Sequence, residues 1–320
     1  MIAYHSGELE VQIRAGVQTG AVRINKGIRE TIPVIAQTFL REQRMVVVSS
    51  VDQEGHLWAS LLTGKPGFLQ TPDDQTVEIR AVPRPGDPLA TSLRVGAAIG
   101  MIMIDFATRR RMRVNGRGKN TQNGIVVHVE QVYSNCPKYI QARALVTEDS
   151  NEQPVPTAGV APAAHMQELT GEQRSWIERA DTFFVASNHP AGGSDASHRG
   201  GPPGFVRVES ATRLVFPDYA GNQMFQTLGN ISVQPHAGLL FLDFESGDTL
   251  QLSGQAHVIW ERERVAAFPG AQRLLEFTIE EAIETRHAVP LRWQLIEYSP
   301  FLPDVTPQDT PASLSTIYEQ

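Results

Sequence analysis

Apolar residues along the chain occur in short runs separated by turns that are rich in glycine, proline and aspartate. The longest runs, residues 97–104 and 238–244, have strand length and fall short of the ~20 residues that span a bilayer. In the second half the pattern predicts a helix from about Asn222 to Asn230 and strands at residues 183–187, 204–209, 213–217, 238–244 and 249–260. Short strands joined by tight turns are typical of a small β-barrel or sandwich.

The same apolar pattern appears twice in the chain. Residues 100–106 (GMIMIDF) match residues 238–244 (GLLFLDF) at a shift of 138 positions, 238 minus 100. The shift also carries residues 45–50 onto 183–188 and 114–116 onto 252–254. Several matching strings at one offset predict an internal duplication, in which one small barrel is encoded twice.

The duplication divides the chain into three predicted parts. Residues 1–150 form the first copy with an N-terminal helical segment, and residues 170–320 form the second copy with a C-terminal extension. Residues 151–169 lie between them and are largely rich in proline and alanine without apolar periodicity, which predicts a linker.

Two helix starts carry capping signals. Thr170 and Gln173 have the spacing of a capping box, which predicts a helix through about Ala180. In the first copy, Asp87 is the predicted N-cap and Pro88 the first helical residue.

Composition limits the class of protein. With 320 residues, of which 41% are hydrophobic, the chain can bury a full core. A net charge of −7 gives no general attraction to nucleic acid or to a membrane surface. The chain has one cysteine and no metal-type Cys/His spacing, and its start lacks the pattern of a secretory signal, so we expect a cytoplasmic protein without a metal site.

Residues 197–205 (SHRGGPPGF) form the most unusual segment. Glycines let the backbone approach a ligand closely, and the side chains of Ser197, His198 and Arg199 before Gly200 can donate hydrogen bonds to an anion. The corresponding residues 60–65 of the first copy lack the His-Arg pair. The alternative is a wide surface loop, which glycine and proline alone would explain.

Residues 217–222 (PDYAGN) lie where a predicted strand leads into a predicted helix. Free backbone N–H groups at a helix start favour a phosphate, and Asn222 could cap that helix. Pro217, Asp218 and Tyr219 would then line the same turn. Ordinary turn chemistry is the alternative.

A cluster of arginines lies on one predicted strand at residues 107–116. With a side-chain period of two, Met112 and Val114 share one face, while Arg109, Arg111 and Arg113 share the other. Asn115 lies on the same face as these arginines, and the second copy is neutral at 249, 251 and 253, the counterparts of residues 111, 113 and 115. Like charges on one face predict a bound anion, or else pairing with carboxylates of neighbouring elements.

Residues 134–143 (SNCPKYIQAR) fit a helix that is capped by Asn135 and carries Pro137 in its first turn. Cys136 would lie near the helix start, where a thiol can become nucleophilic, but no companion histidine can be assigned. The alternative role of the segment is a pocket wall that includes Asn135, Lys138, Tyr139, Gln141 and Arg143. No catalytic residue is assigned.

The strings at residues 108–116, 135–141, 195–205 and 221–230 resemble the pyridoxamine 5′-phosphate oxidase-like FMN-binding split barrels, in particular a two-copy bacterial branch. The resemblance extends from about residue 30 to 265 and is less specific for activity than for the branch. It implies a mainly β fold, a β-barrel with flanking helices, in which a tandem duplicated split barrel forms a pseudo-dimer within one chain.

In such split barrels two subunits pack together and FMN lies at their interface. The resemblance implies that residues 197–199 run along the flavin and that residues 218–222 form the phosphate-side turn. The first copy would replace the second subunit and present Arg111 or Arg113. One FMN would then be held mainly by the second copy, with FAD, a deazaflavin or haem as alternatives, and the protein would be a monomeric pseudo-dimer or a homodimer.

The departures from the family pattern bear on function. Residues 84–88 of the first copy replace the turn at residues 218–222, so the pseudo-symmetric site is expected to be empty. The C-terminus, residues 290–303, does not reproduce the tail by which pyridoxamine-phosphate oxidases hold their substrate. The resemblance therefore implies an FMN-dependent oxidoreductase of unknown small-molecule substrate or reductant, or alternatively a non-catalytic flavin- or haem-binding module that acts as a sensor or carrier.

Overall fold

The computed structural model describes residues 4–25, 27–146 and 164–303. The first half of the chain contributes seven strands to one antiparallel sheet: β1 (Met45–Val51), β2 (Leu57–Thr63), β3 (Leu69–Gln70), β4 (Thr76–Ile79), β5 (Ala97–Asp105), β6 (Arg110–Thr121) and β7 (Gly124–Asn135). The remaining strands are β8 (Ala142–Leu145), β9 (Ala164–Met166), β10 (Thr182–His189), β11 (Gly193–Gly200), β12 (Arg207–Ser210), β13 (Arg213–Asp218), β14 (His236–Leu242), β15 (Thr249–Ile259), β16 (Arg273–Thr285) and β17 (Trp293–Glu297).

Short helices flank the sheets. They are α1 (Ser6–Arg14), α2 (Gln18–Asn25), α3 (Val34–Glu42), α4 (Leu89–Ser92), α5 (Gly171–Arg179), α6 (Gln226–Val233) and α7 (Arg262–Ala266). The predicted capping box of α5 is present, with both the Thr170 and the Gln173 hydrogen bonds formed. Among the described residues, no helix combines the length and the apolar composition that are needed to cross a membrane.

The two large sheets have the same strand order. It is β2-β1-β5-β6-β7-β4-β3 in the first half and β11-β10-β14-β15-β16-β13-β12 in the second. Each strand of the first sheet therefore has a counterpart at the same place in the second. This agreement is consistent with the duplication that the repeated strings predict.

A glycine at the same place in both halves supports this relationship. The register between β6 and β7 shifts at Gly116, and that between β15 and β16 shifts at Gly254, 138 positions later. A Cβ at either glycine would lie 2.0 Å from a backbone carbonyl oxygen of the neighbouring strand. Only glycine fits this bulge, so the residue is fixed by the backbone path.

The halves pack against each other through their β-sheets. Gly100 on β5 lies against the backbone of Asp195 on β11, and Gly238 on β14 lies against the backbone of Leu57 on β2. Leu57 and Asp195 are also 138 positions apart, so the two contacts have the reciprocal form of a twofold interface. A buried apolar cluster that includes Ile102, Phe184 and Leu240 fills the interface. The molecule is therefore a pseudo-dimer of two halves with the same β-sheet topology within one chain.

The helix predicted at residues 222–230 begins later than expected, at Gln226. The Asn222 side chain accepts a hydrogen bond from the Met224 amide at 3.1 Å and closes a local turn instead of capping the helix. Gln223 and Phe225 adopt left-handed backbone angles, with φ of 63° and 62°, which a helix cannot include. The predicted cap at Asn222 is therefore wrong.

The helix predicted at residues 134–143 is also wrong. Strand β7 continues to Asn135, and β8 begins at Ala142. Between them Tyr139 has a φ of 66°, and its carbonyl oxygen lies 1.9 Å from where a Cβ on Gly200 would be. The segment is a loop because its backbone must pass directly over Gly200 of the other half.

Further differences from the prediction concern the boundaries of single strands and helices. Residues 193–200, absent from the predicted strands, form the buried strand β11, and the predicted strand 204–209 begins only at Arg207. Most of the predicted linker, residues 151–163, lies outside the described residues, while β9 pairs with β16. Helix α4 begins at Leu89 with Pro88 at its N-cap position, one residue later than predicted, and the Asp87 carboxylate accepts a hydrogen bond from the Leu89 amide.

Candidate ligand-binding cleft at the junction of the halves

A cleft with an empty volume of about 820 Å³ lies where the two halves meet. Its first-half wall comes from β6 and the loop after β7, and its second-half wall from β11, the end of β13 and the start of α6. The predicted site residues that line it are Arg111, Arg113, Asn135, Lys138, Tyr139, His198, Arg199, Gly200, Pro217, Asp218, Tyr219 and Asn222.

On the second-half wall, one carboxylate holds two arginines. Asp218 is 5% exposed and forms ion pairs with Arg199 and with Nε of Arg273, the latter at 2.9 Å. Because both partners are cations, the group keeps an excess positive charge. Nε of Arg199 is buried and has no hydrogen-bond partner among the described residues. Asp218 therefore orients Arg199 towards the cleft, and a ligand anion would meet the arginine rather than the aspartate.

The start of α6 faces the same cleft. Phe225 occupies the N-cap position, and no side chain caps the helix there. Gln226, Thr227 and Leu228 of the first turn line the cleft. Free N–H groups and the helix dipole make such an end favourable for an anion. Sequence reasoning placed this helix start four residues too early and so missed these three residues.

On the first-half wall, Arg113 is already paired. Its Nη1 donates to Oδ2 of Asp195 at 2.9 Å. The same carboxylate accepts hydrogen bonds from the Tyr133 hydroxyl at 3.0 Å and the Asn115 amide at 3.3 Å. Burial, followed by the nearby Asp195 charge, raises the pKa of Tyr133. Of the two outcomes expected for the arginine strand, Arg113 therefore follows the one in which a carboxylate of a neighbouring element is the partner.

Arg111 differs from Arg113 because no ion pair to a carboxylate is found for it among the described residues. Its Nη1 lies 3.2 Å from Nδ1 of His198, and its Nε is buried without a partner. Burial, with the charges of Arg113 and Arg199, lowers the pKa of Arg111 to about 9, so it remains a cation at neutral pH. A half-buried cation whose buried Nε has no partner and no counter-ion is costly, which favours an anionic or acceptor-rich ligand beside Arg111.

The loop of residues 135–140 closes one side of the cleft. The Tyr139 hydroxyl donates to the Ala220 carbonyl at 3.1 Å, and its ring centroid lies 5.1 Å from that of Tyr219. The Lys138 ammonium lies 5.4 Å from the Phe301 ring centroid, and Cys136 is exposed at the cleft edge. The two tyrosines therefore bridge the halves at the cleft mouth.

Three residues predicted near the site lie behind or away from it. Ser197 sits behind the cleft wall and accepts a hydrogen bond from the Thr227 hydroxyl at 3.0 Å. Gln141 is fully buried, and its amide donates to the carbonyls of residues 181 and 201. Arg143 forms a buried ion pair with Asp181, at 2.6 and 2.7 Å. The side chains of Gln141 and Arg143 thus join the two halves rather than line the cleft.

A smaller cavity of about 350 Å³ occupies the pseudo-symmetric place in the first half. At the shift of 138, Leu61 replaces Arg199, and Thr249 and Gln251 replace Arg111 and Arg113. The Asp87 carboxylate fills the helix-start position there. It accepts hydrogen bonds from the Ser60 hydroxyl at 2.6 Å and the Leu89 amide at 2.9 Å. This cavity therefore carries an internal carboxylate where the larger cleft has open donors.

Comparison with known proteins gives a family match over the second half. Residues 169–296 match the family model described as pyridoxamine 5′-phosphate oxidase. No curated protein matches the chain.

Several solved structures are similar to parts of the chain. A Clostridium acetobutylicum protein related to general stress protein 26 is 14% identical, with a TM-score of 0.30, over 39% of this chain and 92% of that one. HupZ of Group A Streptococcus is 11% identical, with a TM-score of 0.30, over 41% of this chain and 98% of that one. An FAD-binding protein of Mesorhizobium loti is 10% identical, with a TM-score of 0.26, over 39% of this chain and 97% of that one.

The matched region, residues 169–296, contains every strand of the second sheet from β10 to β16. It also contains the second-half wall of the cleft, including Arg199, Asp218 and the start of α6. The match to the pyridoxamine 5′-phosphate oxidase family model is therefore a match of this second half, 128 of the chain's 320 residues.

Proposed function

We propose that the protein is an FMN-binding oxidoreductase of this family, with a small-molecule substrate and one FMN in the cleft between its halves. The observation that carries the proposal is a set of buried donors without partners around one cleft: Nε of Arg111, Nε of Arg199 and Nε2 of His198. Leaving such a donor unsatisfied costs about 1–3 kcal/mol. A ligand with several acceptor atoms and a negative charge would satisfy all three.

FMN fits this donor set in two respects. Its phosphate suits the uncapped start of α6 and the cation Arg199, which its neighbour Asp218 holds in place. Its ring system offers acceptor atoms to Arg111 and His198 and an apolar face to aromatic side chains such as Tyr219 and Phe225.

The division of labour follows from these contacts. FMN would supply the electron chemistry, and the protein would bind it, orient it and exclude water. Arg199, Asn222 and the first turn of α6 are the proposed phosphate side, and Arg111 and His198 the proposed ring side. The remaining free edge of the cleft, near Cys136 and Lys138, is where a small substrate or reductant would enter. A substrate other than pyridoxamine phosphate is proposed because residues 290–303 lack the tail pattern of the true oxidases.

The first test is an absorbance spectrum of the purified protein, followed by mass analysis of any molecule released by heat. We expect a flavin spectrum, a released mass of FMN and close to one FMN per chain. A Soret band would replace the flavin proposal by haem, and a released FAD or deazaflavin would correct the cofactor. If no chromophore is found, and added FMN does not bind, the proposed function is wrong.

Turnover separates an enzyme from a flavin carrier. The FMN-loaded protein is mixed anaerobically with candidate reductants, and bleaching of the flavin band is followed by stopped-flow absorbance. Saturable reduction by one reductant, with reoxidation by an acceptor, supports the oxidoreductase. A flavin that no reductant or acceptor reaches faster than free FMN identifies a non-catalytic flavin-binding module instead.

A further inference from the structure

One hydrogen bond at the cleft determines which ring nitrogen of His198 carries the proton. Arg111 of β6 and His198 of β11 come from opposite halves, and Nη1 of the arginine lies 3.2 Å from Nδ1 of the imidazole. A guanidinium carries only donors. Nδ1 must therefore be the acceptor, and the single proton of the neutral imidazole is on Nε2.

The surroundings of His198 oppose a second proton. The groups that act on its charge are Arg111 and Arg113 of β6, Arg143 of β8 and Arg199 of its own strand, and all four are cations. The Phe184 ring packs edge-on against the imidazole, at 5.9 Å between ring centroids. Burial and the four positive charges hold the pKa of His198 well below its usual value.

The other ring nitrogen has no partner in the protein. His198 is 5% exposed, and its Nε2 is buried without a hydrogen bond to any described residue. The side chain lines the cleft. A buried N–H donor normally has a hydrogen-bond acceptor, and no described residue provides one for Nε2 of His198. The ligand of the cleft is the molecule that can provide it.

We propose that Arg111 is a positioning residue that holds His198 in its Nε2–H form, and that His198 donates this hydrogen bond to an acceptor oxygen or nitrogen of the bound ligand. His198 then binds and orients the ligand and takes no part in proton transfer. The identity of the ligand as FMN rests on the proposed function, while the hydrogen-bonding state of His198 does not.

The first half lacks this pair, which distinguishes the two related cavities. At the shift of 138, Ser60 stands in place of His198 and Thr249 in place of Arg111. Ser60 donates its hydroxyl to Asp87 at 2.6 Å, so the group in place of His198 is already paired within the protein. The Arg111–His198 pair thus belongs to the larger cleft alone.

The state of His198 can be measured without a ligand by long-range ¹H–¹⁵N NMR of the histidine side chains in FMN-free protein. The His198→Gln variant assigns the signals. We expect a protonated Nε2 and an unprotonated Nδ1 from pH 5 to pH 9, and a mixture of the two tautomers in Arg111→Met. Arg117→Met is the control, because Arg117 lies on the same strand but pairs with Glu130 at the surface. A protonated Nδ1, a titration inside this pH range, or no change in Arg111→Met would overturn the proposal.

The contact to the ligand is tested by two substitutions that each keep one ring nitrogen's function. The amide nitrogen of His198→Gln can stand in for Nε2–H, whereas the amide oxygen of His198→Asn stands in for Nδ1. We expect FMN affinity near that of the wild type in the Gln variant and about tenfold weaker binding in the Asn variant. Thermal unfolding checks that both variants are folded.

The two experiments fail in different ways. Wild-type protein that binds no FMN rejects the proposed function, while the NMR measurement still decides the state of His198. Wild-type protein that binds FMN, with equal affinity losses in the Gln and Asn variants or a smaller loss in the Asn variant, rejects the hydrogen bond to the ligand.

Discussion

Gly100 lies directly on Asp195, with a Cβ at residue 100 placed only 2.5 Å from the Asp195 Cα atom. The two halves therefore touch backbone to backbone at this point. The Asp195 side chain pairs with Arg113 in the cleft wall, so the spacing between the sheets also sets the position of a cleft residue.

A methyl group at residue 100 must push the halves apart. We expect Gly100→Ala to lower the free energy of unfolding by about 2–3 kcal/mol and to weaken ligand binding, because overpacking at a rigid backbone contact cannot relax locally. Urea unfolding and FMN titration measure the two effects. Gly171→Ala is the matched control, since nothing lies within 4 Å of a Cβ at that glycine and we expect both quantities to stay near the wild type. Equal behaviour of the two variants would contradict the contact.

Arg199 is the cation that the cleft offers to a phosphate. Arg199→Ala leaves Asp218 paired with Arg273, so the fold should survive, and FMN affinity should fall by about 1.5–3 kcal/mol, roughly 10- to 150-fold. The dissociation constant is measured by flavin fluorescence. Arg117→Ala changes the same charge outside the cleft and should leave the affinity unchanged. Unchanged affinity in Arg199→Ala would refute the assignment of Arg199 to the phosphate.

The N-terminal helix carries a pH-dependent contact. Glu8 of α1 is 6% exposed, and burial raises its pKa to about 7, against an ordinary value of 4.5. Between these two values the folded protein holds more protons than the unfolded chain. This group's contribution to stability is therefore lost as pH rises from about 4.5 to about 7.

The neighbouring His5 works in the opposite direction. Burial, with the nearby His189, lowers the pKa of His5 to about 4, so its contribution is lost as pH falls from about 6.5 to 4. Glu8→Gln separates the effect of Glu8 from that of His5, because it removes the ionisation of residue 8 and retains an acceptor for the His5 amide. Between pH 5 and pH 8, the free energy of unfolding of the variant, measured with urea, should rise by about 2 kcal/mol relative to that of the wild type. A difference that is constant with pH would contradict a raised Glu8 pKa.

Periodicity and repetition predicted the parts of the fold that depend on side-chain alternation. The shift of 138 paired the strands of the two halves, and the two-residue period placed Arg111 and Arg113 together on the face opposite Met112. Neither pattern could show that Arg113 pairs with Asp195, because that contact joins residues from different halves.

The missed features depend on backbone conformation and long-range contact. Gln223, Phe225 and Tyr139 have positive φ angles although none of them is glycine. Their residue types therefore could not predict the late start of α6 or the loop over Gly200. The pairing of Arg199 with Asp218 likewise joins β11 and β13, which are not neighbours in the sheet. Such contacts follow from the folded geometry rather than from local sequence.

Asp87 closes the first-half cavity with the chain's own carboxylate. Burial raises the pKa of this carboxyl, while the Ser60 hydroxyl and the Leu89 amide hold it by hydrogen bonds. Asp87→Ala should therefore lower the free energy of unfolding by about 1–2 kcal/mol through loss of these two hydrogen bonds. Asp87→Asn keeps an acceptor oxygen and should lie close to the wild type.

Removing Asp87 should not create a second flavin site. Leu61, Thr249 and Gln251 stand where the larger cleft has Arg199, Arg111 and Arg113, so an opened first-half cavity would offer a phosphate one lining arginine, Arg84, in place of three. We expect one FMN per chain in both Asp87 variants, measured by absorbance after heat release. Two FMN per chain in Asp87→Ala would mean that the carboxylate alone blocks the site and that the lost arginines are dispensable for binding.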